Sequence, residues 1–371
     1  AEIARCGMGR IITARDQRLD RNVAIKELLH PSPDQILRFH REALITARLQ
    51  HPGIVPIYEA GTWPDGTPFF AMKWVSGMPL DRIITDAASF EARLALLPRI
   101  AAAADAIAYA HSQRIVHRDL KPANVLIGEF GETVVIDWGL AKDLDTDEAS
   151  LPPTVPTERV KLDDSRSISL TVAGAVMGTP AYMAPEQARG ESVGQPADVF
   201  ALGAMLYHLL AGRPPYDART GEEVIAAAAL GNVVPLRSRE QRIPPELIAI
   251  VERAMARDAT DRYPSAREFS EELRRFLTGQ LVDAHRYTAG QRVARFIRKH
   301  RAVLAISTLA LLALSVGSVF AIHRIVAARN SAENQRALAT ARKQAAETLV
   351  DFMVSDLKKR LVPIGRVDLL S

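Results

Sequence analysis

The sequence predicts an α+β fold in which a strand-rich lobe precedes a helix-rich lobe, with a cleft between them. Three observations carry this. Over roughly the first 80 residues, short apolar or alternating runs surround a single helical pattern. From about Leu80 the apolar residues recur at helical spacing. Far beyond both, 302–322 is an uncharged apolar run that reads as a separate helix.

Taken in order, "GRIITARD" and "NVAIKELL" read as strands joined by a turn at Leu19–Arg21. "SPDQILRFHREALITARLQ" reads as a helix: Ser32 suits the N-cap, Pro33 the first helical position, and Gln35 completes a capping box. "IVPIYEAGTWPDGTPFFAMKWV" reads as a hairpin turning at Pro64–Gly66. "FEARLALLPRIAAAADAIAYAHSQR" reads as a helical run, followed by two short apolar strands, "ANVLIG" and "TVVIDWG". From Asp143 to Ala173 the chain is rich in Pro, Ser, Thr and Asp without periodicity, and reads as a mobile loop. "PADVFALGAMLYHLLAG" reads as a buried helix ended by Gly212, with further helices to about Leu277.

A chain of 371 residues has room for two or more domains. Its 48% hydrophobic and 24% charged content is ordinary for a folded protein, and a net charge of +4 gives no footing for a nucleic-acid binder. The single cysteine, Cys6, excludes an internal disulfide and fits a reducing compartment. The chain opens at Ala1 inside its first motif, without a leader pattern, and so reads as a fragment.

The chemistry is concentrated in three stretches. "VAIKEL" puts Lys26 at the end of a strand, and sixteen residues later Glu42 lies in the capped helix. Such a pair suits an ion pair that holds the lysine against the α- and β-phosphates of ATP. In "IVHRDLKPANVLI", Asp119 suits the acceptor of a hydroxyl proton, Lys121 reaches toward a transferring phosphate, and Asn124 offers an oxygen to a metal. In "VVIDWGLAK", Asp137 follows an apolar strand, a place suited to holding Mg²⁺ across phosphates. Any one of these is an ordinary loop polar residue on its own; their order and spacing together are specific.

With these residues in view, the chain resembles the eukaryotic-like Ser/Thr protein kinases over about residues 1–278, through "VAIK", "HRDLKPAN", "DWG" and "GTPAYMAPE". "IARCGMGRI" and "GTPAYMAPEQA" resemble the bacterial branch, and the whole plan looks like a bacterial receptor-type kinase. The resemblance implies a bilobal protein-kinase fold, ATP with Mg²⁺ or Mn²⁺, and protein substrates. Residue by residue, Gly7, Gly9 and Ile11 would cover the nucleotide, and Ala24 and Leu126 would sandwich adenine. Met72 would be the gatekeeper, and Lys73, Trp74 and Val75 the hinge. Lys26, Glu42, Asp119 and Lys121 would be catalytic, and Asn124 and Asp137 would hold metal. Glu186 would pair with Arg262, Asp198 would anchor the catalytic loop, and Thr179 would line the substrate-docking loop. Arg118 would receive a phosphate on the activation loop, with Thr171 the first candidate acceptor and Ser167 and Ser169 next.

Three departures stand out. Ala4 and Cys6 replace the first two glycines of the family's G-x-G-x-x-G, which predicts a weakened grip on ATP. Trp138 replaces the usual phenylalanine, and the segment from Asp137 to Glu186 is long, with an insertion around 144–170. The altered loop supports the alternative reading, a pseudokinase scaffold that binds nucleotide without efficient transfer. A small-molecule phosphotransferase is disfavoured by "GTPAYMAPE"; a binding protein whose function lies in a missing outer domain is a further reading.

The uncharged run 302–322 has 21 residues, and as a helix would span about 31 Å, matching a hydrocarbon core of about 30 Å. The expected organisation is a kinase domain at 1–278, a basic linker at 279–301, a transmembrane helix at 302–322, and a helical segment at 323–371 that begins an outer domain. Kinase-domain residues are expected in the cytoplasm, with one span in the cell membrane. Arg292, Arg295, Arg298, Lys299 and Arg301 flank the run on one side, and Arg324, Arg329 and Arg336 on the other, so charge is a weak vote on topology. The tail, with Leu338, Ala341, Ala345, Leu349, Phe352, Leu357 and Leu361, reads as an amphipathic helix: a stalk, a coiled coil or the start of an outer domain, whose association would bring two copies together.

Overall fold

A computed structural model describes residues 2–6, 9–29, 32–145, 179–218, 220–288, 290, 297 and 300–361. The chain divides into two compact units, Ala1–Arg286 and Tyr287–Ser371.

The first unit opens with strands β1 (Glu2–Cys6), β2 (Gly9–Asp16) and β3 (Arg21–Leu28), helix α1 (Pro33–Arg48), then β4 (Ile57–Thr62) and β5 (Pro68–Lys73). The five strands form one antiparallel sheet in the order β1-β2-β3-β5-β4. The stretch expected to be only a glycine loop is therefore partly a strand. Glu2 faces Ile12 and Cys6 faces Gly9, because alternating residues there pair with β2. Gly9 is required by this pairing: a Cβ on it would lie 2.2 Å from the Glu27 carbonyl oxygen on β3. Helix α1 carries the capping box, with the Gln35 N–H donating to Ser32 Oγ and the Ser32 N–H to Gln35 Oε1. From Ile36 to Ala43 it packs on the sheet, where Phe39 and Ala43 cluster with Leu28 and Phe70.

The helical part follows with β6 (Gly77–Pro79), α2 (Leu80–Asp86), α3 (Phe90–Leu94), α4 (Leu97–Ser112) and β7 (Ile115–Val116). Next come β8 (Val125–Gly128), β9 (Thr133–Val135), β10 (Lys142–Asp143), α5 (Pro185–Ala188) and α6 (Gln195–Ala211). It closes with α7 (Gly221–Leu230), α8 (Leu236–Arg239), α9 (Pro245–Ala254) and α10 (Ala266–Leu277). The helical run read from Phe90 onward is thus two helices. Pro98 has no N–H to donate and its ring would clash with the Leu94 carbonyl, so the first helix stops and a second starts with Pro98 in its first turn.

Helix α6 is the hub: from Ala197 to Leu210 every residue is buried, and Gly212 ends it in the left-handed region at φ 73°. Leu202, Leu206 and Leu210 share one large core with Ile100 and Ile107 of α4, Ile250 of α9 and Phe269 of α10. Ile45 and Leu49, at the far end of α1, belong to this same core. Helix α1 is therefore seated on the sheet at one end and on the helical part at the other.

The described helix of the second unit, α11 (Arg301–Leu361), is continuous over 61 residues. It contains the uncharged run 302–322, and Leu309, Leu312, Val316 and Phe320 along it are more than half exposed in the isolated chain. It is long and apolar enough to cross a membrane.

Candidate active site

Strand β3 delivers Lys26 and α1 delivers Glu42 to one point. Lys26 Nζ lies 2.5 Å from Glu42 Oε1 and 3.6 Å from Asp137 Oδ1. Both members of the first pair are nearly shielded from water, at 12% and 8% side-chain exposure. Burial is the largest influence on Glu42 and raises its carboxyl above the ordinary range despite the neighbouring Lys26, with the charge on Asp137 adding to the rise. Burial also works to raise Asp137, but Lys26, His117, Lys121 and the Gly139 N–H outweigh it and hold that carboxyl below its usual range. Asp137 therefore stands ionised two residues beyond β9, with its backbone in the left-handed region at φ 65°.

The loop after β7 is held from beneath by a buried carboxylate. Asp198, on the first turn of α6, accepts from the N–H groups of His117 at 2.8 Å and Arg118 at 2.9 Å, and pairs with His111 Nε2 at 2.8 Å. Burial would raise Asp198; the hydrogen bond and charge of His111, with help from His117, hold it low. The Arg118 backbone is itself left-handed at φ 68°, its Nε donates to the Leu140 carbonyl, and its own carbonyl accepts from Gln187 Nε2.

Asp119 is oriented through both oxygens. Oδ2 accepts from Lys121 Nζ at 2.9 Å, and Oδ1 from the Thr179 N–H at 2.8 Å. Lys121 also donates to Thr179 Oγ1 at 2.7 Å, and Asn124 Nδ2 donates to the Asp119 carbonyl at 2.9 Å. Thr179, expected in the docking loop, thus also touches Asp119 and Lys121. Three residues on, Tyr182 Oη lies 2.7 Å from Nδ1 of buried His208 on α6. Burial pushes His208 down to about 4 and the Tyr182 phenol up, so this hydrogen bond joins a neutral imidazole to an un-ionised phenol.

The residues assigned to adenine lie at the sheet edge of the cleft. Ala24 is buried and stands opposite Met72 in the β3–β5 register. Met72, Val75 and Leu126 share one apolar cluster with Val55, Val134 and Ile136. Trp74 and Ile11 are half-buried, and Lys73 is exposed. Gly9 lies on β2; Gly7, Ser167, Ser169 and Thr171 lie outside the described residues. Glu186 and Arg262 meet in a two-pronged pair at 2.7 and 2.8 Å, with the arginine side chain fully buried.

The Gln187, Tyr182 and His208 contacts had no local signal in the sequence, because each partner comes from a distant element. The Trp138 ring packs 4.6 Å from that of His117, filling the place expected for an aromatic, while its buried Nε1–H has no acceptor among the described residues.

A lysine–glutamate pair, a doubly oriented aspartate and an ionised aspartate after an apolar strand, all between a five-stranded sheet and a helical body, define a recognisable arrangement. A family model described as the protein kinase domain matches residues 2–288. The chain belongs to the protein kinase family. Within it, the kinase domain is 37% identical over 284 residues to the serine/threonine-protein kinase PknB of Mycolicibacterium smegmatis, a match covering 75% of this chain and 42% of that protein. It is 34% identical over 284 residues to PknB of Mycobacterium leprae, with the same coverage. It is 34% identical over 295 residues to PknD of Protochlamydia amoebophila, covering 75% of this chain and 29% of that protein. The matched part is less than half the length of these curated relatives. The kinase family implies ATP and a divalent metal, and one long apolar helix follows the kinase domain.

Proposed function

We propose that this chain is an active, membrane-anchored Ser/Thr protein kinase that moves the γ-phosphoryl group of ATP to Ser or Thr hydroxyls of proteins, its own among them. The observation that carries the reading is the meeting of Lys26 with Glu42 at 2.5 Å in the same cleft as Asp119 and Asp137. That combination has a use in phosphoryl transfer, where catalysis is mostly positioning and charge stabilisation.

The residues fit a hard divalent cation. Asp137 is ionised and partly open to solvent, and Asn124 commits its amide nitrogen to Asp119, which leaves an amide oxygen to present. Asp137 and Asn124 would hold Mg²⁺ or Mn²⁺, which when bound neutralises charge on the phosphates. Lys26, fixed by Glu42, grips the α- and β-phosphates. Asp119, fixed by Lys121 and Thr179, accepts the proton of the substrate hydroxyl as its oxygen attacks phosphorus. Lys121 neutralises the transferring group, and ADP leaves. Arg118, at the base of the loop, is the proposed partner for a phosphate on the segment containing Thr171. The uncharged run of α11 is the proposed single span, with the kinase domain on the cytoplasmic side, where ATP is.

The test is to incubate the full chain in detergent with Mg²⁺ and ATP, beside Asp119→Asn, and map phosphate by mass spectrometry. Phosphate on the parent, reduced by about a thousandfold in rate in the variant, is the expected result. Nucleotide binding without phosphate on either would establish the scaffold reading instead.

A further inference from the structure

We infer that Arg48 and Asp143 form a positioning pair: Asp143, on the short strand β10 six residues after Asp137, holds the last turn of α1 and thereby sets Glu42 against Lys26. This rests on the kinase reaction proposed above.

Arg48 Nη1 lies 2.6 Å from Asp143 Oδ2 across 95 residues of sequence. The two ends of the pair differ in kind. Asp143 is a fixed post: its side chain is 10% exposed, its Oδ1 accepts from the Asp145 N–H at 3.0 Å, and its strand β10 pairs with β7, opposite Ile115. The next residue is also tied, since the Leu144 N–H donates to the Arg114 carbonyl at 2.8 Å. Arg48 is the reaching partner, with 56% of its side chain exposed.

The segment between Asp137 and Asp143 runs along α1. At its start, Gly139 packs so closely on Glu42 that a Cβ there would lie 3.2 Å from Glu42 Oε2. At its end, Asp143 takes Arg48. Glu42 and Arg48 are six positions apart, which at ~100° per residue places them on faces about 120° apart around the helix. Two ion pairs on different faces fix the rotation of α1 about its own axis, and that rotation decides whether Glu42 reaches Lys26. Asp143 also sits beside the strand that enters the His117–Asp119 loop. One carboxylate thus ties the metal-holding segment, the catalytic loop and α1 together.

The test uses the full chain in detergent: parent, Arg48→Ala, Arg48→Asp, Asp143→Arg, and the double variant with the charges exchanged. The readouts are kcat, KM for ATP, and amide hydrogen exchange over residues 33–48. Arg48→Asp is expected to lower kcat by about tenfold, the size of a partly buried charge pair, and to speed exchange in α1. The exchanged pair is expected to return both to within about threefold of the parent. If Asp143→Arg fails to fold, Arg48→Ala and Arg48→Asp, at an exposed position, still decide the matter through exchange and kcat. Single variants indistinguishable from the parent, or an exchanged pair no better than the singles, would overturn the proposal. A parent that transfers no phosphate would remove the kinase reading, while exchange in α1 would still report whether the pair positions the helix.

Discussion

Asp198 illustrates how a single side chain makes an awkward backbone permanent. Arg118 holds a left-handed φ that a residue with a Cβ adopts only at a cost of about 1–3 kcal/mol. Asp198 offsets that cost by accepting from two consecutive N–H groups and from His111 in a site with almost no solvent. Asp198→Asn would set an amide donor against one of these donors. A loss of about 2–4 kcal/mol in unfolding free energy is expected, together with a fall in kcat, and chemical denaturation alongside initial rates measures both. Glu42 gives a second expectation at this scale. Its folded carboxyl is raised by burial, whereas Asp137 is lowered, so as pH falls from neutrality Glu42 takes up a proton first and releases Lys26. The sign follows: a raised carboxyl makes ionised Glu42 a cost to stability at neutral pH, tolerated because the ion is useful. The acid limb of kcat should therefore begin above the ordinary glutamate value of 4.5. In Glu42→Gln the rate on the neutral plateau should be lower by about tenfold or more, the two profiles should converge at acid pH where the parent's Glu42 is protonated, and this limb should be absent. A pH–rate profile of the two proteins checks it.

Elements were legible in the sequence to the extent that their signals are local. The capping box at Ser32 and Gln35 marked α1, and Gly212 marked the end of α6, because each motif satisfies backbone groups within a few residues. Pro98 was equally local but was outvoted by the apolar periodicity that continues through it. Strand β1 was hidden by a glycine-loop reading of the same residues. Strand β10 is two residues long and exists only because β7 lies beside it, so no window of sequence could announce it. The same distinction runs through the candidate site. The short motifs around Lys26, Asp119 and Asp137 named residues that the fold brings into one cleft. Other contacts of the same region, Asp143 with Arg48 and His208 with Tyr182, join residues from separate elements and left no local signal. Gly9 shows how a motif residue can have a second role: it reads as part of a phosphate loop, yet its position is dictated by the Glu27 carbonyl on the neighbouring strand. Gly9→Ala is expected to destabilise the kinase domain by about 2 kcal/mol or more through displaced β2–β3 pairing, which for a domain of this size lowers the thermal midpoint by about 4–8 °C. Differential scanning calorimetry would register the shift.

On the scale of the whole molecule, the kinase domain and the helix that follows it are separate compact units. If the uncharged run of α11 is the anchor, the full chain should sediment with membranes and resist extraction by alkaline carbonate. A chain lacking 302–322 should move to the soluble fraction with kcat on a peptide substrate within about twofold of the parent, since the residues proposed as catalytic all belong to the other unit. Failure of the full chain to partition with membranes would remove the anchor from the proposal.

The unbroken length of α11 has a mechanical consequence. Its 61 residues correspond to about 91 Å at ~1.5 Å per residue, three times the thickness of a hydrocarbon core. A helix that does not end where the apolar run stops behaves as a torsion rod: turning one end turns the other, and the angular phase between the two is set by residue count. Each added residue advances that phase by ~100°. The spacing between Ile322 and Leu338 is therefore a dial as well as a distance, and its setting determines which side of the tail, the one bearing Leu338 and Leu349 or its opposite, looks out along any given direction.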